Sequence, residues 1–152
     1  MSVGENVDKL DIHIFSDEIK SVSLGKIPKQ VANFIISKKP EYKDRLLVDN
    51  EIIFWAGRVK HSERHKADFI SDDEFYQCMQ NIPLIIQEPD YISIHPKDQS
   101  ISFIKDYSGH TSVAIKVASN GVMSYRTIYP LTNDQLEGYI KNGRAWKFSE
   151  DR

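Results

Sequence analysis

Cysteine is nearly absent: the 152-residue chain has one, Cys78. A lone thiol excludes an internal disulfide and any cysteine-built zinc site. Long apolar runs are missing as well. Nothing in the sequence approaches the roughly 18 consecutive apolar residues that cross a bilayer, so no membrane partner is expected. The opening MSVGENVDKLDIH has no basic stretch followed by an apolar one. No secretory signal is expected on that ground, and the cytoplasm is the expected compartment. An excess of one charge sign is also lacking. Lys and Arg total 20 against 22 Asp and Glu, for a net charge of −2, which argues against a protein that coats nucleic acid by bulk charge. A single local basic cleft stays open. The sequence holds no internal repeat and no low-complexity segment.

What is present is ordinary in amount and uneven in placement. With 40% apolar and 28% charged residues, the chain has enough for one core, and its length suits one domain over 1–152. The basic residues gather in 26–45 and again in 56–66, the acids in 68–74 and 134–137. The stretch AGRVKHSERHK, 56–66, sets Arg58, Lys60, Arg64 and Lys66 against one acid, Glu63. It also carries His61 and His65. Four residues apart on a helix, these imidazoles share a face, one turn apart. Imidazole exchanges protons near neutral pH, and the surrounding cations attract phosphate.

The periodicity predicts a helical front half. Leu10, Ile12 and Ile14 alternate as in a strand over 8–15, and a short strand is expected at 46–48. Pro28 opens a helix with Val31, Phe34 and Ile35 on one side, stopped at Lys39-Pro40. Ser71-Asp72-Asp73-Glu74 is a capping box ahead of Phe75, Cys78 and Met79, with Cys78 expected in the core. From Tyr91 the texture changes to four β-type runs, YISIH, ISFIKDY, TSVAIKV and GVMSYRTIY, divided by turn residues. Runs this close pair antiparallel, because a parallel pair needs a longer crossover. Thr132 and Gln135 frame a last helix that ends at Asn142-Gly143. The expected fold is therefore α+β: a helical N-terminal half packed on a four-stranded antiparallel meander, with a short C-terminal helix. Trp55 and Trp146 are expected in the core, with base stacking as their alternative.

The strands offer Lys105, Arg126 and Thr127 as polar candidates. Arg126 and Thr127 sit in an otherwise apolar strand, and as neighbours they point to opposite faces unless a bulge intervenes. His61 and His65 also match the spacing of a zinc pair. Glu63 does not take the HExxH position, however, and no third ligand is visible, so no metal is expected.

The order Val59-Lys60-His61, Arg64-His65, Ile82-Pro83, Pro89-Asp90, Phe103-Ile104-Lys105 and Tyr125-Arg126-Thr127 resembles the phage-type branch of the barnase–EndoU–colicin–RelE (BECR) nuclease superfamily. The resemblance covers about 50–131. It implies a nuclease core over 50–148, with 1–49 as an accessory N-terminal subdomain. It also implies metal-independent RNA cleavage in which the ribose 2′-hydroxyl is the nucleophile, without a cofactor. His65 then serves as general acid or base and His61 as a second proton-transfer group. Thr127 is the closing hydroxyl, and Lys105, Arg126, Arg64 and Lys60 bind substrate. RNA is the implied substrate, with a cognate inhibitor (immunity or antitoxin) as partner if the protein is a toxin. The alternative is a catalytically inactive binding or accessory protein of a phage or conjugative element. A metallohydrolase is a third reading.

Overall fold

The computed structural model describes residues 9–46, 49–107 and 109–148, with Tyr107 as backbone only. The elements run β1 (Ser21–Ser23), α1 (Lys29–Lys38), a 3-10 turn (Pro40–Tyr42), α2 (Lys43–Leu46), β2 (Ile52–Trp55) and α3 (Gly57–Ser62). A 3-10 segment (Glu63–Asp68) leads into α4 (Asp72–Gln80) and α5 (Ile82–Gln87). Strands β3 (Tyr91–Ile94), β4 (Ile101–Tyr107), β5 (Gly109–Val117) and β6 (Met123–Leu131) follow, then α6 (Asn133–Lys141) and β7 (Ala145–Lys147).

All the strands form one seven-stranded sheet, ordered β1-β2-β6-β5-β4-β3-β7. This corrects the expected four-stranded meander beneath a helical half. Strands β3 to β6 do run as consecutive antiparallel neighbours. The front half, however, contributes β1 and β2, and β2 pairs parallel with β6. The C-terminus adds β7, antiparallel to β3. The reason is physical. At three residues each, β1 and β7 are too short to carry a readable period. The β2–β6 pairing is also non-local: helices α3 to α5 and strands β3 to β5 all lie between the two partners, a connection long enough for a parallel pair.

The strand expected over 8–15 is not there: across the described residues 9–15 the chain turns instead. Asp11 accepts the His13 amide on its carboxylate at 2.9 Å and the Ile14 amide on its carbonyl at 3.2 Å. An aspartate that bonds its own following backbone competes with a ladder. Leu10 is tied instead to α4, its amide donating to the Gln80 carbonyl at 2.9 Å. Of the strand expected at 46–48, Leu46 ends α2, and residues 47 and 48 lie outside the described residues.

The helix ends follow from local chemistry. The Ser71 hydroxyl accepts the Glu74 amide at 3.1 Å, and Thr132 and Gln135 cap α6 reciprocally at 3.1 and 2.9 Å. Each such cap contributes about 1 kcal/mol.

Strand alternation sorts the sheet into two faces. On one face Ile52, Phe54, Phe103, Val113, Tyr125 and Ile128 bury against Val31 and Ile35 of α1, Phe75, Cys78 and Met79 of α4, and α5. This is the core face. On the other face a smaller cluster of Ile104, Leu131, Leu136 and Ala145, with Tyr91, Tyr129 and Tyr139, seats α6. Between that cluster and β2 the second face is floored by small side chains. Register aligns Ser93, Ser102, Ala114 and Thr127 in one row across β3, β4, β5 and β6.

The two tryptophans divide. Trp146 packs on the core, whereas Trp55 is 53% exposed, against the expectation that both would bury. Phe54 takes the core face, so its neighbour Trp55 turns to the second face and to solvent.

Candidate active site

The site is organised by an irregularity in β6. Ala114 pairs with Thr127 and Ile115 with Tyr125, so Arg126 is an extra residue with no partner on β5. A bulge of this kind puts two successive side chains on one side of the strand. The flanking residues agree: Tyr125 and Ile128 lie in the main core, while Tyr129 belongs to the cluster under α6. Arg126 and Thr127 therefore both face the second side of the sheet, which a regular strand forbids.

The bulge interrupts the ladder, and α3 supplies what the ladder lacks. Arg58 donates its Nε to the Arg126 carbonyl at 2.9 Å, and a terminal guanidinium nitrogen reaches the same oxygen. A carbonyl left out of sheet pairing is thus satisfied by a side chain. Below this clamp, Ser62 and Tyr125 share a hydrogen bond of 2.6 Å in a fully enclosed position. Burial raises the Tyr125 phenol well above its ordinary pKa, so it stays neutral. The two contacts fasten α3 along β6.

Arg58, His61 and His65 recur at spacings of three and four, which makes one stripe. The helical geometry tightens to 3-10 from Glu63, so His65 is rotated from the position that a continuous α-helix over 56–66 implies. Both imidazoles are half-buried. The pKa of His61 is lowered, first by burial and then by Arg58, Arg64, His65 and Arg126. It is therefore held neutral, with a free lone pair at neutral pH. His65 Nδ1 lies 3.3 Å from Asp68 Oδ2, and its ring centroid is 6.2 Å from that of Tyr129. The carboxylate favours a proton on Nδ1 and leaves Nε2 for another partner.

Thr127 completes the group. Its Oγ1 is buried and has no hydrogen-bond partner among the described residues, and the same holds for Ser112 Oγ on the neighbouring strand. An orphaned buried hydroxyl needs an explanation, and one beside an arginine has a donor to offer an anion.

The remaining candidates fall elsewhere. Arg64 is exposed but within electrostatic range of His61, whereas Lys60 is exposed on α3. Lys66 sits over the Tyr76 ring at 5.6 Å, and Tyr76 donates to Glu63 at 2.8 Å, so this pair turns toward α4. Lys105 is not brought to the group. It pairs with Thr111, whose hydroxyl lies 3.6 Å from Cys78 on the core face. Its Nζ donates to the Glu88 carbonyl at 2.6 Å, at the end of α5.

Three residues escaped the sequence reading: Arg58 as a clamp, Asp68 as the partner of His65, and Tyr129 as its ring neighbour. Asp68 stands three residues from His65, a readable helical spacing. Asp68 also lines a cavity of about 310 Å³ with His110 and Asn133. The His110 Nε2 lies 2.6 Å from Asn133 Oδ1. Its Nδ1 lies 3.2 Å from Asp106 Oδ1 without a hydrogen bond between them. Among the described residues, no three His, Cys, Asp or Glu side chains converge in a metal-binding group.

His61 within electrostatic range of His65, Arg58, Arg64 and Arg126, beside a strand that bears an unpartnered hydroxyl, is an arrangement suited to phosphodiester chemistry. The chain belongs to the phage-Barnase-EndoU-ColicinE5/D-RelE like nuclease3 (PBECR3) family, which matches residues 29–138. The match opens at α1, earlier than the 50–131 span of the sequence resemblance, and α1 shares the main core with the sheet. Comparison with curated proteins and with solved structures returned no match. The family indicates a nuclease acting on nucleic acid. No helix among the described residues is long and apolar enough to cross a membrane.

Proposed function

We propose that the protein is an endoribonuclease that cleaves RNA by transesterification, using the ribose 2′-hydroxyl as nucleophile. The observation that supports this reading is the bulge at Arg126, which turns Arg126 and Thr127 to one side of β6, with Arg126 within electrostatic range of His61. In this reading the scissile phosphate lies against Arg126 and accepts a hydrogen bond from Thr127 Oγ1. Arg58 and Arg64 add positive potential. His61, neutral at working pH, takes the 2′ proton. The 2′ oxygen bonds to phosphorus, the bond from phosphorus to the 5′ oxygen breaks, and His65 protonates that leaving oxygen. The products are a 2′,3′-cyclic phosphate and a free 5′-hydroxyl. Asp68 steadies His65 while it is charged. Lys105 takes no part, because it is committed to the Glu88 carbonyl on the other face.

The experiment is incubation of the purified protein with RNA in the presence of EDTA, followed by end-group analysis. Cyclic phosphate ends are expected, and His65→Ala should slow cleavage roughly 100- to 10,000-fold while retaining the wild-type circular dichroism spectrum. RNA left intact by a folded protein at high concentration overturns the reading and leaves the non-catalytic binding protein. As a finer proposal, we take the protein for a toxin of a phage or mobile element, silenced by a cognate inhibitor. Its expression should arrest growth, and His65→Ala should relieve the arrest; equal toxicity of both forms rejects this.

A further inference from the structure

Trp55 is an exposed aromatic that the proposed chemistry does not use. It is 53% exposed, although burying an indole is among the largest apolar gains available to a fold. Its position follows from register. In the parallel pair, Ile52 aligns with Met123 and Ile53 with Ser124. One step on, the Phe54 and Tyr125 rings stack at 4.4 Å on the core face. Extended two residues beyond the paired Ile53 and Ser124, the same register sets Trp55 level with Arg126, and alternation turns both to the second face. On its other flank Trp55 pairs with Ser21, whose small side chain leaves the ring uncovered. The chain then turns into α3, which carries Arg58 and His61. The molecule thus offers an open π-face next to the arginine assigned to the phosphate, with the small-residue row of Ser102, Ala114 and Thr127 alongside.

We propose that Trp55 stacks an unpaired base adjoining the phosphate at Arg126, so that the site takes single-stranded RNA in preference to duplex. The proposal rests on the endoribonuclease reading and names its substrate class. A base can lie flat on the indole only when it has left a helix, since in a duplex both its faces are already stacked. A cation beside an aromatic platform suits a single strand, the cation following the backbone and the ring receiving the base.

The test uses a short mixed-sequence RNA strand with 2′-O-methyl riboses, which cannot be cleaved, and the same strand annealed to its complement. Binding is read by fluorescence anisotropy of labelled RNA. The wild type is expected to prefer the single strand. Trp55→Ala should weaken that binding roughly 5- to 150-fold, the range for loss of one stacked base, while Trp55→Phe keeps most of it. Strands lacking one base at each position in turn supply a readout that a merely structural tryptophan does not move. One abasic position should cost the wild type a similar factor and cost Trp55→Ala nothing further. Unchanged binding by Trp55→Ala, or losses that multiply independently, overturns the proposal while cleavage by the wild type leaves the endoribonuclease reading standing. A folded wild type that neither binds nor cuts either form overturns both.

Discussion

The bond between Ser62 and Tyr125 should behave as a coupled pair whose loss reaches the active site. Both residues are sealed from solvent, Ser62 at 0% and Tyr125 at 1% exposure, and their oxygens are 2.6 Å apart. Beyond Ser62, the phenol has a weak contact to Met79 sulfur at 3.9 Å. Ser62→Ala therefore strands a buried hydroxyl, which costs about 1–3 kcal/mol. Tyr125→Phe strands the serine and should cost about as much, whereas the double variant removes both polar atoms and should cost less than the sum. We expect a coupling of at least about 1 kcal/mol, read from urea midpoints, with each kcal/mol moving Tm by roughly 2–4 °C in a domain of this size. Since this bond fastens α3 to β6, Ser62→Ala should also lower kcat, although Ser62 touches no substrate. Strictly additive losses would refute the coupling. Tyr125 adds a pH signature. Its folded-state pKa is raised by burial, so its contribution is whole below the ordinary tyrosine value near 10 and is lost as pH climbs beyond it. Tyr125→Phe should flatten that alkaline decline.

Further outcomes follow from the same geometry. Arg64→Gln removes one of the cations that lower the His61 pKa, so the acid limb of the kcat/KM profile should move to higher pH; a limb that stays in place excludes His61 as the base. Thr127→Val should reduce kcat by roughly 100- to 1,000-fold, the range for losing one oxyanion donor, yet leave the urea midpoint equal or higher because it deletes a buried unpartnered hydroxyl. Lys105→Gln should cost at most about 1 kcal/mol, as a cation lost at a helix C-terminus, and leave cleavage intact; a large activity loss would return Lys105 to the site. Dialysis against EDTA should not change the cleavage rate.

Much of the scaffold was legible because it depends on near neighbours. Pro28, Ser71 and Thr132 mark helix starts by their own chemistry, and the four runs after Tyr91 are β-type stretches set apart by turn residues. What escaped depends on distant partners. The pairing of β2 with β6 joins residues far apart in sequence, and nothing at Ile52 announces it. The bulge is likewise invisible, because an extra residue exists only relative to the strand opposite. The place of Lys105 could be read from the sequence: it shares strand parity with Phe103, which lies in the core. The same parity test, applied to Phe54 and Trp55, turns Trp55 outward. Asp68 was within reach at three residues from His65, whereas no local pattern reveals that Arg58 serves the Arg126 carbonyl.

The split of the site between residues 58–65 and 126–127 has a consequence during synthesis. A growing chain carries both histidines long before it carries the bulge, and β6 can take its place between β2 and β5 only after it has left the ribosome. Until then the Arg126–Thr127 half of the candidate site is missing. A nuclease of this family built in that way gains its complete candidate site only when the last strand to join the centre of its sheet is in place.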